Sequence, residues 1–471
     1  MKVLKAIELD GAVMYAFLAR ATNIAGSAGT VLLIVRFLSP IEQGYYYTLL
    51  SLVSLQVVFE MGFSFVVQQL AAHECIHLEL LPDGSVVGDP VAQVRLASAL
   101  RLSLRFYTVA AGTKGLILAP LGMIFFARHA FVGSAQIAWQ GPWLMAVAAS
   151  MAGLWCVPLY SFIEGCGQVR AVAAMRLRQS IASSALAWAA MLLHHGLYSP
   201  AMVIVGQIGV GLLFITAHLR LLAGLGRYPA CGRAIRWSSE VWPFQWRIAV
   251  SWMCSYFTVQ IFIPIVFALR GPVEAGQMGM SLSITGYMTV LALVWVSTKT
   301  TSFGSMIARK QFQELERSFR RAAGQSIVAF AGIAIFSIAA VALLPAVAPR
   351  LAQRMVSAWL FAALVLGAAA GHMSQCMATL IRCFKQEPFL VQSLLVAAST
   401  LMLAAISLPR LGNAGAALSY LFATGAVGLP LSLLIFVRTR RRCMTADSMS
   451  QPRRRTSAIA LVEASARAEL L

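Results

Sequence analysis

Three charged side chains interrupt apolar runs of roughly twenty residues: Arg20, Glu60 and Lys114. An ionised group in lipid is costly, so it is kept for a partner, a ligand or a wet cavity. Polar neighbours accompany two of them at helical spacing. Arg20, Asn23, Ser27 and Thr30 follow i, i+3, i+7, i+10, and Gln56, Glu60, Ser64 and Gln68 follow i, i+4, i+8, i+12, each set on one helix face. The three charges sum to +1, and a cavity with excess positive charge attracts anions. An arginine fork and a lysine point charge suit a phosphate or pyrophosphate. The bland alternatives use the same residues: Arg20 and Glu60 neutralise each other, and Lys114 snorkels to an interface.

Other polar groups in apolar stretches carry less chemistry. Ser251, Ser255, Thr258, Ser281, Thr285 and Thr289 form uncharged hydroxyl stripes in the second half, which suit helix packing. His372 and Gln375 suit interhelical hydrogen bonds better than a proton relay. His194-His195 has no third ligand nearby, and there is no CxxC or Cys/His cluster with zinc spacing, so neither a metal nor a cofactor is expected.

These residues need a membrane to be positioned in. Of 471 residues, 59% are hydrophobic and 11% charged, well below the charge content of soluble domains. The reading is an all-α polytopic membrane protein with twelve transmembrane helices, at 13–37, 44–68, 106–127, 141–163, 172–193, 200–221, 248–269, 276–298, 325–346, 356–379, 388–408 and 414–437. With the N-terminus inside, 29 of the 37 basic residues face inward, six outward, and two (Arg20 and Lys114) lie within spans. That skew sets both termini cytoplasmic and accounts for a net charge of +20 without a nucleic-acid partner. It also places Arg20, Glu60 and Lys114 at one depth, about 10–12 Å above the inner surface. No cysteine falls in an outward loop, so no disulfide framework is expected.

One motif is written twice. FLSPIEQGYYY at 37–47 and LRGPVEAGQMG at 269–279 share P-[IV]-E-x-G, with Pro40 and Pro272 half the chain apart. Each reads as a helix start, with Ser39 or Gly271 as cap, Pro at the first position and Glu42 or Glu274 at the third. Tyr45, Tyr46 and Tyr47 are expected in an interfacial aromatic belt. The pattern implies two parallel six-helix lobes: residues 1–221 with spans one to six, a basic linker at 222–247, and 248–437 with spans seven to twelve. Residues 69–105 are expected as a long polar loop. Residues 438–471 are expected as a disordered basic cytoplasmic tail, with at most a short helix near 457–470, drawn to anionic membrane lipid.

Two lobes of six spans, with FLSPIEQGYYYTLLSL opening span two and FEMGFSFVVQQLAAHE closing it, resemble polysaccharide exporters. The chain looks most like the Wzx-type oligosaccharide flippases of the multidrug/oligosaccharidyl-lipid/polysaccharide exporter superfamily. An enzyme acting outside the membrane would need a sizeable outer loop with reactive groups, and the outer loops are mostly short, so no enzymatic activity is expected. The resemblance implies a bacterial inner-membrane protein. Its two lobes alternate access to move an undecaprenyl-pyrophosphate-linked oligosaccharide to the outer leaflet. It implies a cationic central cavity, for which Arg20 and Lys114 are the candidates, with Glu60, Asn23, Gln56 and Ser27 around them. Polymerase and chain-length machinery are implied partners, with coupling to protons or sodium. The second lobe has no mid-span charge, which departs from a symmetric grip on pyrophosphate. The same architecture also serves multidrug and toxin extrusion antiporters, which want unpaired carboxylates; Glu60 is the one mid-span acid.

Overall fold

Local signals start the helices. The computed structural model describes residues 2–80, 86–129, 137–226, 235–384 and 388–449. After α1 (Lys2–Phe37), Ser39 caps α2 (Pro40–Ser54): its side chain accepts from the Glu42 backbone N–H, and the Glu42 carboxylate accepts from the Ser39 N–H at 2.7 Å. This is the capping box read from the sequence. The second copy differs, because Gly271 sits at φ 95 and offers no side chain.

Span two is not one helix. α2 is followed by α3 (Gln56–Glu60) and α4 (Phe63–Glu74), and the two parts meet at 43°. The break is made by Met61 at φ 50 and Gly62 at φ 63. α4 then runs on to a hairpin, β1 (Leu78–Leu80) antiparallel to β2 (Val86–Gly88), paired Leu78 with Gly88 and Leu80 with Val86. α5 (Pro90–Arg128) starts at Pro90 with Asp89 as side-chain cap. The long polar loop expected at 69–105 is therefore helix, hairpin and helix.

α6 (Gln140–Gly165), α7 (Val169–Leu192), α8 (Ser199–Ala217) and the short α9 (Leu219–Gly226) complete the first half. The second half holds α10 (Trp242–Val259), α11 (Phe262–Arg270), α12 (Pro272–Ser297), α13 (Thr300–Ala308), α14 (Phe312–Val347), α15 (Pro349–Ala352), α16 (Ala358–Cys383), α17 (Leu390–Leu411), α18 (Asn413–Leu421) and α19 (Leu429–Met449). Ten helical segments among the described residues are long and apolar enough to cross a membrane, or eleven with the bent α2–α4 counted as one. The remaining expected span is α7, a helix of 24 residues whose Arg170, Arg176 and Arg178 lower its hydropathy; it packs between α1 and α8. The chain is an all-α polytopic membrane protein.

Two sequence expectations about the ends of elements change. α14 has 36 residues, about 54 Å at helical rise, which outruns a roughly 30 Å hydrocarbon core. Its first turns bury Leu315 and Phe319 and expose Arg317, Arg320 and Arg321. The tail expected as disordered from 438 continues helical to Met449, while the short helix expected near 457–470 lies outside the described residues. Part of the basic linker, 227–234, also lies outside them.

The largest apolar cluster joins the two halves at the Pro40 and Pro272 ends of α2 and α12. Tyr45, Tyr46 and Tyr47 lie in it at 1%, 5% and 4% exposure, so they are not the interfacial belt expected from sequence. Tyr45 stacks on Phe126 at 5.3 Å and meets Phe267 edge-on at 5.0 Å. The repeated glycines explain this burial. A Cβ on Gly44 would come within 1.9 Å of the Pro272 carbonyl oxygen, and one on Gly276 within 3.0 Å of the Gly44 nitrogen. Two helices can cross this closely only where neither has a side chain.

Candidate functional site: a polar cluster at the break in span two

The break delivers Glu60 to the interior. It is the last residue of α3, 9% exposed, with Oε1 accepting from Ser64 Oγ at 2.6 Å and Tyr107 Oη at 3.4 Å. Irregular backbone at membrane depth is tolerated where protein buries it or where it lines a cavity. Gly62 is required here twice over: its φ is left-handed, and a Cβ would meet Ile248 Cγ2 of α10 at 2.6 Å.

Lys114 approaches from α5. Its side chain is fully buried, and its ammonium donates to Gln56 Oε1 at 2.9 Å and to the Ser150 carbonyl of α6 at 3.1 Å. Its hydrogen bonds thus go to neutral oxygens, with the Glu60 carboxylate as its charged neighbour. Neither snorkelling nor a free anion contact describes it in this conformation.

Gln56, Glu60 and Ser150, with Lys114 bonded behind them, border a cavity of about 520 Å³ within the first half, between α2, α3, α6, α7 and α8. Gln56, Glu60, Gln179 and Gln207 are among its polar lining; Leu50, Val53, Leu154 and Ile204 supply apolar wall.

Arg20 is elsewhere. It is exposed on α1 and donates to Ser297 Oγ at the end of α12 at 3.0 Å, so it reaches the second half rather than Glu60. Asn23 is exposed, and Ser27 bonds only the Asn23 carbonyl of its own helix, at 2.8 Å. Thr30 accepts from Trp188 Nε1 of α7 at 3.0 Å, which makes that end of the stripe a packing contact. The sequence stripes thus separate: Gln56, Glu60 and Lys114 meet, while Arg20, Asn23 and Ser27 do not join them.

Sequence reasoning missed Tyr107, Ser150, Tyr160 and Gln179. Tyr107 lies seven residues before Lys114, two turns along one face, and that spacing was a usable signal. Ser150 acts through its backbone carbonyl, which no side-chain pattern announces.

Two polar contacts bracket the bundle. At the Pro40 end, Gln43 Nε2 donates to the carbonyls of Gly276 and Arg354, both at 2.9 Å, and Arg354 donates to the Leu38 carbonyl at 2.6 Å. At the far end of α4, Arg95 donates to Glu74 at 2.8 Å and to Glu240 at 2.6 Å, the latter just before α10. In the second half, His372 is 1% exposed, contacts Ser326 Oγ at 2.9 Å, and stacks on Phe330 at 5.1 Å. It is an interhelical hydrogen bonder, as read from the sequence. Among the described residues no group of three or more His, Cys, Asp or Glu is placed to hold a metal.

No family model matches the chain, and no curated protein matches it. Solved structures do. A mutant form of VcmN, a MATE transporter of Vibrio cholerae, is similar over 93% of this chain and 97% of its own, with TM-score 0.60 at 15% identity. The lipid II flippase MurJ in an inward closed conformation aligns over 93% of this chain and 92% of its own, with TM-score 0.53 at 12% identity. A MOP superfamily transporter from Pyrococcus furiosus, described as having a binding pocket of reverse polarity, covers 93% of this chain and 95% of its own, with TM-score 0.53 at 12% identity. At these identities the likeness is one of fold: the chain has the fold of MOP-superfamily transporters.

Proposed function

We propose that this chain is a flippase. It carries an undecaprenyl-pyrophosphate-linked oligosaccharide from the cytoplasmic to the outer leaflet of a bacterial inner membrane. In this reading, lobes 1–221 and 248–437 rock about the linker at 222–247. Both termini are cytoplasmic, so the glycine crossing at Gly44 and Gly276 is the outer gate, closed here.

The observation that carries the proposal is Arg20. A guanidinium within a span reaches across to the second half and meets a hydroxyl, Ser297, with no carboxylate beside it among the described residues. An arginine whose charge is unanswered at the join between halves is suited to the pyrophosphate of a lipid-linked substrate. The fold shared with a lipid II flippase supports a lipid-linked cargo. Lys114 then serves from behind, balancing Glu60 and fixing Gln56. Polymerase and chain-length machinery remain proposed partners, and protons or sodium proposed coupling ions.

The test is complementation of surface-glycan export in a deletion strain. Arg20→Ala at normal expression should lose most export; wild-type glycan levels in that variant reject the assignment. A second reading, a cation antiporter, draws on the likeness to MATE transporters and on Glu60 at a cavity wall. Glu60-dependent efflux of a cationic dye from whole cells is the result that favours it.

A further inference from the structure

The cavity beside Glu60 has a chemistry of its own. Lys114 occupies Gln56 Oε1, which leaves the Gln56 amide N–H2 without a partner among the described residues. Ser64 and Tyr107 occupy Glu60 Oε1, which leaves Oε2 open as an acceptor. Gln179 spends its N–H2 on the Gln207 carbonyl at 2.9 Å, which leaves its Oε1 open. The Tyr160 hydroxyl is buried with no oxygen or nitrogen partner; the Cys156 thiol one turn earlier is its polar neighbour. Room for that hydroxyl is made by Gly211, where a Cβ would stand 1.6 Å from its oxygen. The Gln56 amide, the free Glu60 oxygen and the Gln179 carbonyl thus border one space with aliphatic walls, while Tyr160 lines it with its ring and turns its hydroxyl to Gly211.

The formal charges decide what fits. The carboxylate of Glu60 is answered by the ammonium of Lys114, so the pocket carries no net charge for an organic cation or an anion to satisfy. Mixed donors and acceptors beside apolar surface suit a neutral ligand whose hydroxyls both donate and accept while its C–H faces are apolar. The volume of about 520 Å³ is within the ~300–1,000 Å³ of small-molecule pockets.

We propose that this pocket is a neutral-sugar subsite, with Gln56, Glu60 and Gln179 as its specificity-determining residues and Lys114 as a positioning residue. The sugar as part of a lipid-linked cargo rests on the flippase reading; the pocket's preference for a neutral polyhydroxylated ligand does not.

The test uses the full chain in lipid nanodiscs and saturation-transfer NMR. The probes are N,N′-diacetylchitobiose, maltose and methyltriphenylphosphonium. Saturation transfer to at least one disaccharide is expected. Gln179→Leu, which removes one open acceptor, should weaken it about fivefold, the scale of one neutral hydrogen bond. Val157→Phe fills the pocket without touching its polar groups and should abolish it, with folding checked by thermal unfolding. The inference falls if a folded wild-type protein shows no transfer to either disaccharide, or if Val157→Phe retains it. It falls also if only the phosphonium binds and Glu60→Gln abolishes that. Translocation of a fluorescent lipid-linked oligosaccharide in proteoliposomes separates the two readings. Arg20→Ala inactive with Val157→Phe unchanged in both rate and sugar preference overturns the subsite and keeps the flippase. Sugar binding lost in Val157→Phe, with no translocation by the wild type, keeps the subsite and overturns the flippase.

Discussion

The second helix of each half begins alike and ends differently. α12 runs unbroken from Pro272 to Ser297, while its counterpart stops at Glu60, passes through two left-handed residues and restarts at Phe63. Along α12 Ser281, Ser283 and Thr289 donate to their own helix, to the carbonyls of Gln277 at 2.8 Å, Gly279 at 2.8 Å and Thr285 at 3.0 Å, and its hydroxyls meet other elements at Ser281, which accepts from the Val356 N–H, and Ser297, which accepts from Arg20. In α2–α4 the polar side chains reach other helices, Gln56 to Lys114 and Glu60 to Tyr107. The lesson is one of cost. A continuous helix satisfies its own backbone and asks nothing of its neighbours, whereas a broken one needs partners or a cavity. The half with the break is the half with the buried charges and the polar cavity.

Removing the ammonium is the harshest way to break that comparison. Lys114→Met removes the cation neighbouring Glu60 and leaves Gln56 Oε1 and the Ser150 carbonyl without their donor, at about 1–3 kcal/mol for each buried group left unsatisfied. Thermal unfolding in detergent should fall sharply, and Lys114→Met with Glu60→Gln should recover the part of the loss that is due to the charge of Glu60. In the second half, Ser326→Ala removes hydrogen bonds at His372 and the Ala292 carbonyl and should cost about 1–2 kcal/mol. If the two variants unfold at the same temperature, the energetic asymmetry between the halves is absent.

Paired glycine substitutions sharpen it. Gly62→Ala places a Cβ at left-handed φ and against Ile248, and should cost about 1–3 kcal/mol. Gly286→Ala, inside α12 with nothing within 4 Å of the new carbon, should gain about 0.5–1 kcal/mol from helix propensity. Opposite signs in the same melting assay are the expected result.

The start of both helices gives a smaller, conformational effect. Gly44→Ala cannot form the crossing with Pro272 unchanged, so the closed contact is weakened rather than the fold lost. A shift of about 1.4 kcal/mol is tenfold in population. A cysteine placed at the fully buried Thr48, in a cysteine-free background, should then react about tenfold faster with a membrane-impermeant maleimide. Unchanged reactivity would mean that the crossing does not control access.

What the sequence made legible follows the same division. Apolar runs, the capping box at Ser39 and the duplicated P-[IV]-E-x-G are local or periodic, and each is visible in the helices that form. Glu60 and Gln56 were legible as a stripe because their i, i+4 spacing lies wholly within α3, before the bend. The bend itself was not, since Met61 carries no turn signal and only Gly62 hints at one. The tyrosines were misplaced for a similar reason: an aromatic run beside a helix start fits a lipid interface until a second glycine-bearing helix is known to cross it. Arg20 was legible as a costly charge, but its partner Ser297 lies 277 residues away, and no pattern within one chain specifies that pairing.

The weakest effect is expected where the two halves are tied at the far end of α4. Arg95 bridges Glu74, buried in the first half, and Glu240, exposed just before α10. The hydrogen bond from Arg95, with help from the Arg236 backbone N–H, holds the Glu240 carboxyl below its usual range. A carboxylate with a depressed pKa stabilises the folded state above its ordinary value, near 4.3, and that contribution is lost as pH falls through the lowered one. The pair is screened by solvent, so its worth is on the order of 0.5 kcal/mol. Glu240→Gln should therefore unfold slightly below the wild type at pH 7, and the gap should close as the pH is brought below 4. Hydrogen exchange across Trp237–Val241 should follow the same course. A gap that stays constant with pH would mean that Glu240 contributes packing and no charge, so that the ionic contact of Arg95 counts only toward Glu74, within the first half.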